Sequence, residues 1–160
     1  MPDGLILRDA VPGDEALVLR FVRELAEYER LAHQVRATEE SLRQSLFGTP
    51  PRAQALIAER HGAPVGFAVW FFSFSTFEGR ASLYVEDVFV DPAARGQGIG
   101  RAIFRDLARR AVALGCARMD WSVLDWNQPA IGFYRSIGAV PVKGWTVQRL
   151  TGDALAALAA

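Results

Sequence analysis

Apolar residues recur along this chain with two spacings, every second position and every third or fourth, and the switches between them outline the elements. Residues 5–8 read as a short first strand. Pro12, Gly13, Asp14 and Glu15 then open a helix, with acids where its dipole favours negative charge. Leu17, Phe21, Val22, Leu25 and Tyr28 form the apolar stripe of that helix. Thr38 caps a second helix that reaches Leu46, and Gly48, Thr49, Pro50 and Pro51 end it. Segments 53–59 and 64–74 read as strands joined by a hairpin at 61–63. A longer connection, 73–79, leads to a strand at 81–90. A helix from about 98 to 115 carries Ile99, Ile103, Leu107, Ala111 and Leu114 on one face. A strand at 117–124 follows. Next comes a helix capped by Asn127, with Pro129 in its first turn and Gly138 at its end. A last strand region spans 140–150, and an alanine-rich helix closes the chain at 151–159. The order βααβββαβαβ predicts an α/β (α+β) fold, a mixed sheet flanked by helices.

Composition adds limits. With 160 residues, 51% of them hydrophobic, the chain is long enough for one domain, 1–160, with a proper core. A formal net charge of zero removes general support for a nucleic-acid partner. Local charge is uneven: Glu24, Glu27, Glu29, Glu39 and Glu40 cluster early, and Arg95, Arg101, Arg105, Arg109 and Arg110 cluster later. Solvated helix faces would account for both clusters equally well. The single Cys116 forbids an internal disulfide, fits a reducing compartment and reads as buried filler. No signal peptide is read at the start, and the longest apolar stretch, 63–74, is too short to span a bilayer. The cytoplasm is the expected location, with no membrane partner.

The candidate chemistry begins at Arg95, Gly96, Gln97, Gly98, Ile99 and Gly100. This glycine-rich loop follows a strand closed by Asp91 and Pro92, and it opens into a helix. Glycines let a ligand approach the backbone, and free N–H groups at a helix start attract anionic oxygen. A dinucleotide fold would have such glycines in its first βα unit, and a P-loop would follow Gly100 with Lys and Ser or Thr rather than Arg101. A plain helix start stays open on the glycines alone. Glu86 is the second candidate, because an acid inside an apolar strand needs a reason. Strand alternation would place Tyr84, Glu86 and Val88 on one face and Val85, Asp87 and Phe89 on the other. An ion pair with an arginine is the structural alternative for Glu86, and Asp87 reads as structural.

The loop RGQGIG at 95–100 resembles the acyl-coenzyme A site of the Gcn5-related N-acetyltransferase (GNAT) superfamily. YVEDVFV at 84–90, WNQPAI at 126–131, FY at 133–134, ELAEYE at 24–29 and TEE at 38–40 extend the resemblance over about 5–150. Together they resemble the diamine (spermidine/spermine-type) acetyltransferase family. STFEGR at 75–80 carries Thr76 where the polyamine branch has an aspartate. With VLDWNQ at 123–128, it is similar instead to the thialysine-acetyltransferase branch.

The resemblance implies a GNAT fold with a mostly antiparallel central sheet and a strand splay at the acetyl-CoA site. It implies direct transfer of acetyl from acetyl-CoA to the primary amine of a small diamine, polyamine or lysine-like amino acid. The implied coenzyme residues are Val88, Phe89, Val90, Arg95, Gly96, Gln97, Gly98, Ile99, Gly100, Arg101, Asn127, Gln128, Pro129 and Ala130. Backbone N–H groups of 96–101 would hold the pyrophosphate, and Arg95, Arg101 or Arg105 the outer phosphate. The pantetheine arm would lie along 88–90. Tyr134 is the implied general acid, with a core tyrosine as its alternative. Glu86 is the implied base, acting directly or through water, or only an ammonium anchor. Tyr28 and Glu29 match the amine-binding end, although ordinary helix-surface residues would look the same. No metal is expected, and a homodimer is implied. Two rival classes remain. A protein or peptide N-acetyltransferase would need an open groove, which a long 73–79 loop could close. A noncatalytic acyl-CoA-binding module would not need both Tyr134 and Glu86.

Overall fold

The computed structural model describes residues 2–160, which form two compact units meeting in sequence at Leu124 and Asp125. The first unit holds a five-stranded sheet in the order β1 (Leu5–Asp9), β2 (Gln54–Arg60), β3 (Ala63–Ser75), β4 (Arg80–Val90) and β5 (Met119–Trp121). Neighbouring strands are antiparallel except β4 and β5, which run parallel. The β2–β3 hairpin turns on His61 and Gly62, both at positive φ, as a two-residue turn matched to strand twist requires. The connection expected at 73–79 is shorter than predicted. Pairing continues to Ser75↔Arg80, so only 76–79 turn, and a tight hairpin stands where a long closing loop was expected.

Alternation along β2 and β3 splits the core between the two sheet faces. Leu56, Ala58, Ala68, Trp70, Leu83 and Val85 pack on one face with Ile99, Ile103, Leu107 and Ala111 of α3 (Ile99–Ala113). Ala55, Ile57, Phe67 and Phe89 pack on the other with Val18 and Phe21 of α1 (Glu15–Tyr28) and Leu46 of α2 (Glu39–Phe47). Phe21 stacks on Phe67 with ring centroids 5.3 Å apart. Val18 and Phe21 carry the α1 contact, and Leu17, Val22 and Leu25 flank them half-buried. The Thr38 cap forms as expected, its hydroxyl accepting from the Ser41 N–H while the Ser41 hydroxyl accepts from the Thr38 N–H. Leu114 lies past the end of α3 and is exposed, contrary to its place on the predicted stripe.

The second unit starts with α4 (Gln128–Ser136), capped by Asn127, whose side chain accepts from the Ala130 N–H. Gly138, at φ 91°, follows its end. No strand forms over 140–150. The apolar positions are there, but no neighbouring strand pairs with them among the described residues, and a strand without a partner leaves its backbone groups unsatisfied. The chain ends with α5 (Gly152–Ala159). The strand predicted at 117–124 is confined to Met119–Trp121.

Candidate active site

β4 is the element that shapes the site. Its parallel pairing with β5 covers only Leu83↔Met119, Tyr84↔Asp120 and Val85↔Trp121, yet β4 continues to Val90. On the β5 side, residues 86–90 therefore form an open edge that no strand covers among the described residues, where the Val90 carbonyl accepts from Arg95 Nε and the other outward backbone groups face an extended ligand's path. This is the splay expected from the resemblance.

On its other side β4 carries a bulge. Val69 pairs with Asp87 and Trp70 with Val85, so Glu86 has no residue opposite. One extra residue reverses the alternation beyond it, which overturns the predicted faces. Val88 and Val90 join Leu83 and Val85 on the α3 face. Asp87 and Phe89 lie on the α1 face, the face of Val69 and Phe67 and of the Phe71–Tyr84 ring pair. Val88 thus does not share a face with Tyr84, and Asp87 does not share one with Val85.

Asp87, read from sequence as structural, is the most perturbed acid here. Burial first, and then the charges of Glu86 and Glu29, push its carboxyl up to about 6. Glu29 follows the last residue of α1, and burial raises its carboxyl too. Glu86 stands exposed at the bulge. Three carboxylates from two elements therefore share one neighbourhood, suited to a cationic amine. Glu86 and Glu29 were legible in the chain. Asp87 was missed because unbroken alternation sent it to the wrong face. Two adjacent acids in an apolar strand were the available hint that the alternation breaks.

Tyr28 reaches this region through Arg95. The Arg95 guanidinium lies 4.8 Å from the Tyr28 ring and 5.5 Å from the Phe89 ring, while its Nε donates to the Val90 carbonyl at 2.9 Å. After β4, the Asp91 side chain accepts from the Ala93 N–H and fixes a single 3₁₀ turn at Pro92–Ala94. Gln97 donates to the Ala93 carbonyl at 3.3 Å. Gly96 and Gly98 both take positive φ, and a Cβ on Gly96 would meet nothing within 4 Å, so the loop leaves open space before α3. Ile99 is buried and anchors the first turn of α3, where Gly100 and Arg101 follow it. Arg101 and Arg105 lie one helical turn apart, both exposed.

The remaining predicted residues belong to the second unit. Asn127, buried, caps α4, and Gln128, Pro129 and Ala130 form its first turn. Tyr134 is half-buried on α4, its ring centroid 5.5 Å from that of Phe133. Among the described residues no group of three His, Cys, Asp or Glu is placed to hold a metal ion, and no helix is long and apolar enough to cross a membrane.

The description "Acetyltransferase (GNAT) family" matches residues 19–139, a span that runs through both units. A thialysine N-epsilon-acetyltransferase of Bos taurus is 41% identical, over 97% of each chain. An L-ornithine N5-acetyltransferase of Arabidopsis thaliana is 28% identical, over 95% of this chain and 86% of that one. Among solved structures, an integron cassette protein from the mobile metagenome of V. cholerae superposes with a TM-score of 0.80 at 29% identity, over 98% of each chain.

Proposed function

The chain belongs to the acetyltransferase (GNAT) family and is an N-acetyltransferase, and from that premise we propose that it moves acetyl from acetyl-CoA to the side-chain amine of a lysine-like amino acid or small diamine. The observation that carries the acceptor class is the near-full-length similarity to thialysine and ornithine acetyltransferases. The residues fit the coenzyme. Room beside Gly96 and the N–H groups of 96–101 at the start of α3 suit its pyrophosphate, and the open edge 86–90 suits an amide-rich arm. Arg101 and Arg105 suit its outer phosphate. Asn127, Gln128, Pro129 and Ala130 are proposed as further coenzyme residues.

The transfer forms an N–C bond and breaks the C–S bond. Before attack the acceptor ammonium, with an ordinary pKa near ~10.4, must lose a proton. Asp87 and Glu29, with Tyr28 beside them, draw the ammonium in. Glu86, exposed at the bulge, takes the proton directly or through water. Backbone N–H groups along 88–90 polarise the thioester carbonyl, Tyr134 gives its proton to the departing thiolate, and the second proton that the nitrogen sheds as the amide forms restores the Tyr134 hydroxyl. We also propose a cytoplasmic homodimer, its contact made by the exposed apolar residues of 140–150.

A panel of amines with thiol release as readout tests the reading. Turnover with thialysine, ornithine or a short diamine is expected, and no turnover with any of them overturns it. Tyr134→Phe should bind coenzyme normally and lose most of kcat, by about a hundredfold. An unchanged rate removes Tyr134 from the mechanism.

A further inference from the structure

β4 and β5 part at a defined point. Their parallel ladder ends at the Val85↔Trp121 rung, and β4 alone continues to Val90. Both faces of that last rung are closed. On the α3 face, buried Val85 pairs with Trp121, whose ring meets Phe104 of α3 edge-on with centroids 5.0 Å apart. On the α1 face, the Tyr84 ring packs against Phe71 with centroids 5.1 Å apart. The Tyr84 hydroxyl lies 3.0 Å from that of Ser122, the residue after β5. Tyr84 stands opposite Asp120 in the ladder, so this bond runs diagonally forward, from the rung before the last to the first residue beyond it. It ties the two strands together where their backbone pairing stops.

A ligand in the gap therefore meets a closed end. The glycine loop lies past Val90, and the open edge runs back from Val90 to Glu86. An arm laid along that edge with its phosphates at the loop points its far terminus at the last rung. Paired strands stand ~4.8 Å apart with their backbone groups joined, which leaves no passage between Val85 and Trp121. Turning out of the sheet leads into the Trp121–Phe104 pair on one side and the Tyr84–Ser122 tie on the other. Each methylene added to the terminus has to displace one of these walls. Trp121 is packed against the α3-side core, whereas Tyr84 and Ser122 are joined by one exposed bond, so the tie is the wall that yields first. We propose that the Tyr84–Ser122 tie sets the length of the acyl group transferred, holding the gap to acetyl and against propionyl and longer chains. Both residues act by positioning the strands rather than on the reacting atoms. This rests on the acetyl-CoA reading given above.

The test compares acetyl-CoA, propionyl-CoA and butyryl-CoA, using the full chain and its Tyr84→Phe, Ser122→Ala and double variants. With an amine that the chain acetylates, the wild type should prefer acetyl-CoA over propionyl-CoA by about ten- to two-hundredfold in kcat/KM, the range of one methylene in a closed pocket. Each single variant keeps the ring packing and removes the tie. It should narrow that preference by about three- to tenfold, through faster use of propionyl-CoA rather than slower use of acetyl-CoA. Both substitutions remove the same bond, so the double variant should narrow it no further than either alone. Dissociation constants of the three thioesters, measured without amine, should show the same order and the same narrowing. A wild type that uses and binds propionyl-CoA as well as acetyl-CoA overturns the proposal. So do variants that weaken all three donors alike, which makes the tie a structural brace, or that change only the amine KM, which places Tyr84 at the acceptor. If none of the thioesters binds, the coenzyme reading fails and this proposal with it. If they bind and no amine is turned over, the acceptor reading alone has failed, and the binding ratios decide the role of the tie.

Discussion

Asp87 shows how far one extra residue changes the chemistry of a strand. The bulge at Glu86 turns it toward the α1 face, where burial and two nearby acids raise its pKa from the ordinary 3.8 to about 6. A carboxyl raised on folding binds its proton more tightly in the folded chain than in the unfolded one. Its contribution therefore stabilises the protein at low pH and is lost as pH rises from about 4 through about 6. Asp87→Asn removes that cost. At pH 8 the variant should be more stable by about 1–3 kcal/mol, the upper figure being two pKa units at 1.36 kcal/mol each. The advantage should fade below about pH 4, where Asp87 is protonated in both states. Paired melting curves at pH 8 and pH 4 check this, and a variant less stable at both overturns the burial argument. If the ionised form holds the amine, the same substitution raises the acceptor KM about tenfold, and wild-type kcat/KM climbs with pH through about 6. Stability surrendered for an ionised acid at neutral pH is the pattern expected of a binding group rather than a structural one.

At the scale of elements, β4 is held in place so that one of its edges can stay open. Gly66 of β3 pairs with Val90 at the end of that edge, and a Cβ there would stand 2.6 Å from the Phe89 carbonyl oxygen. Backbone cannot yield as a side chain tip does, so Gly66→Ala should push β3 and β4 apart. A loss of about 1–3 kcal/mol is expected, or roughly 2–10 °C in Tm, with a raised acetyl-CoA KM because Val90 moves with the strand. An unchanged acetyl-CoA KM in a folded variant would detach the edge from coenzyme binding. Much of this frame was legible in the chain. The α3 stripe of Ile99, Ile103, Leu107 and Ala111 is buried as its spacing predicts, and Thr38 and Asn127 cap their helices. Those features are local, set by a few neighbouring residues. The bulge at Glu86 and the early end of β5 are not. They depend on how a second strand pairs, and apolar spacing within one strand does not record its partner's register. The hairpin at 76–79 was hidden because Ser73 and Ser75 look like loop residues until their cross-strand partners, Ser82 and Arg80, are known.

For the whole molecule, the division of burial between the units matters most. The first unit contains both cores, and from residue 125 onward Asn127 is the single buried residue among those described. Val140, Val142, Trp145 and Val147 are 72–83% exposed, and Leu150, Leu155 and Leu158 are also exposed. Apolar segments of this length, and an eight-residue helix such as α5, do not hold their form in water by propensity alone. Among the described residues no strand pairs with 140–150, and a second copy would supply one along with apolar cover. Light scattering should therefore give twice the 17.6 kDa mass of one chain. Tm should rise with protein concentration, as binding linked to folding requires. Trp145→Asp and Val147→Asp, which place charge in the proposed contact, should shift the mass toward a single chain and remove the concentration dependence. A wild type that is monomeric at high micromolar concentration would overturn the dimer, leaving the exposed 140–150 run without its proposed cover.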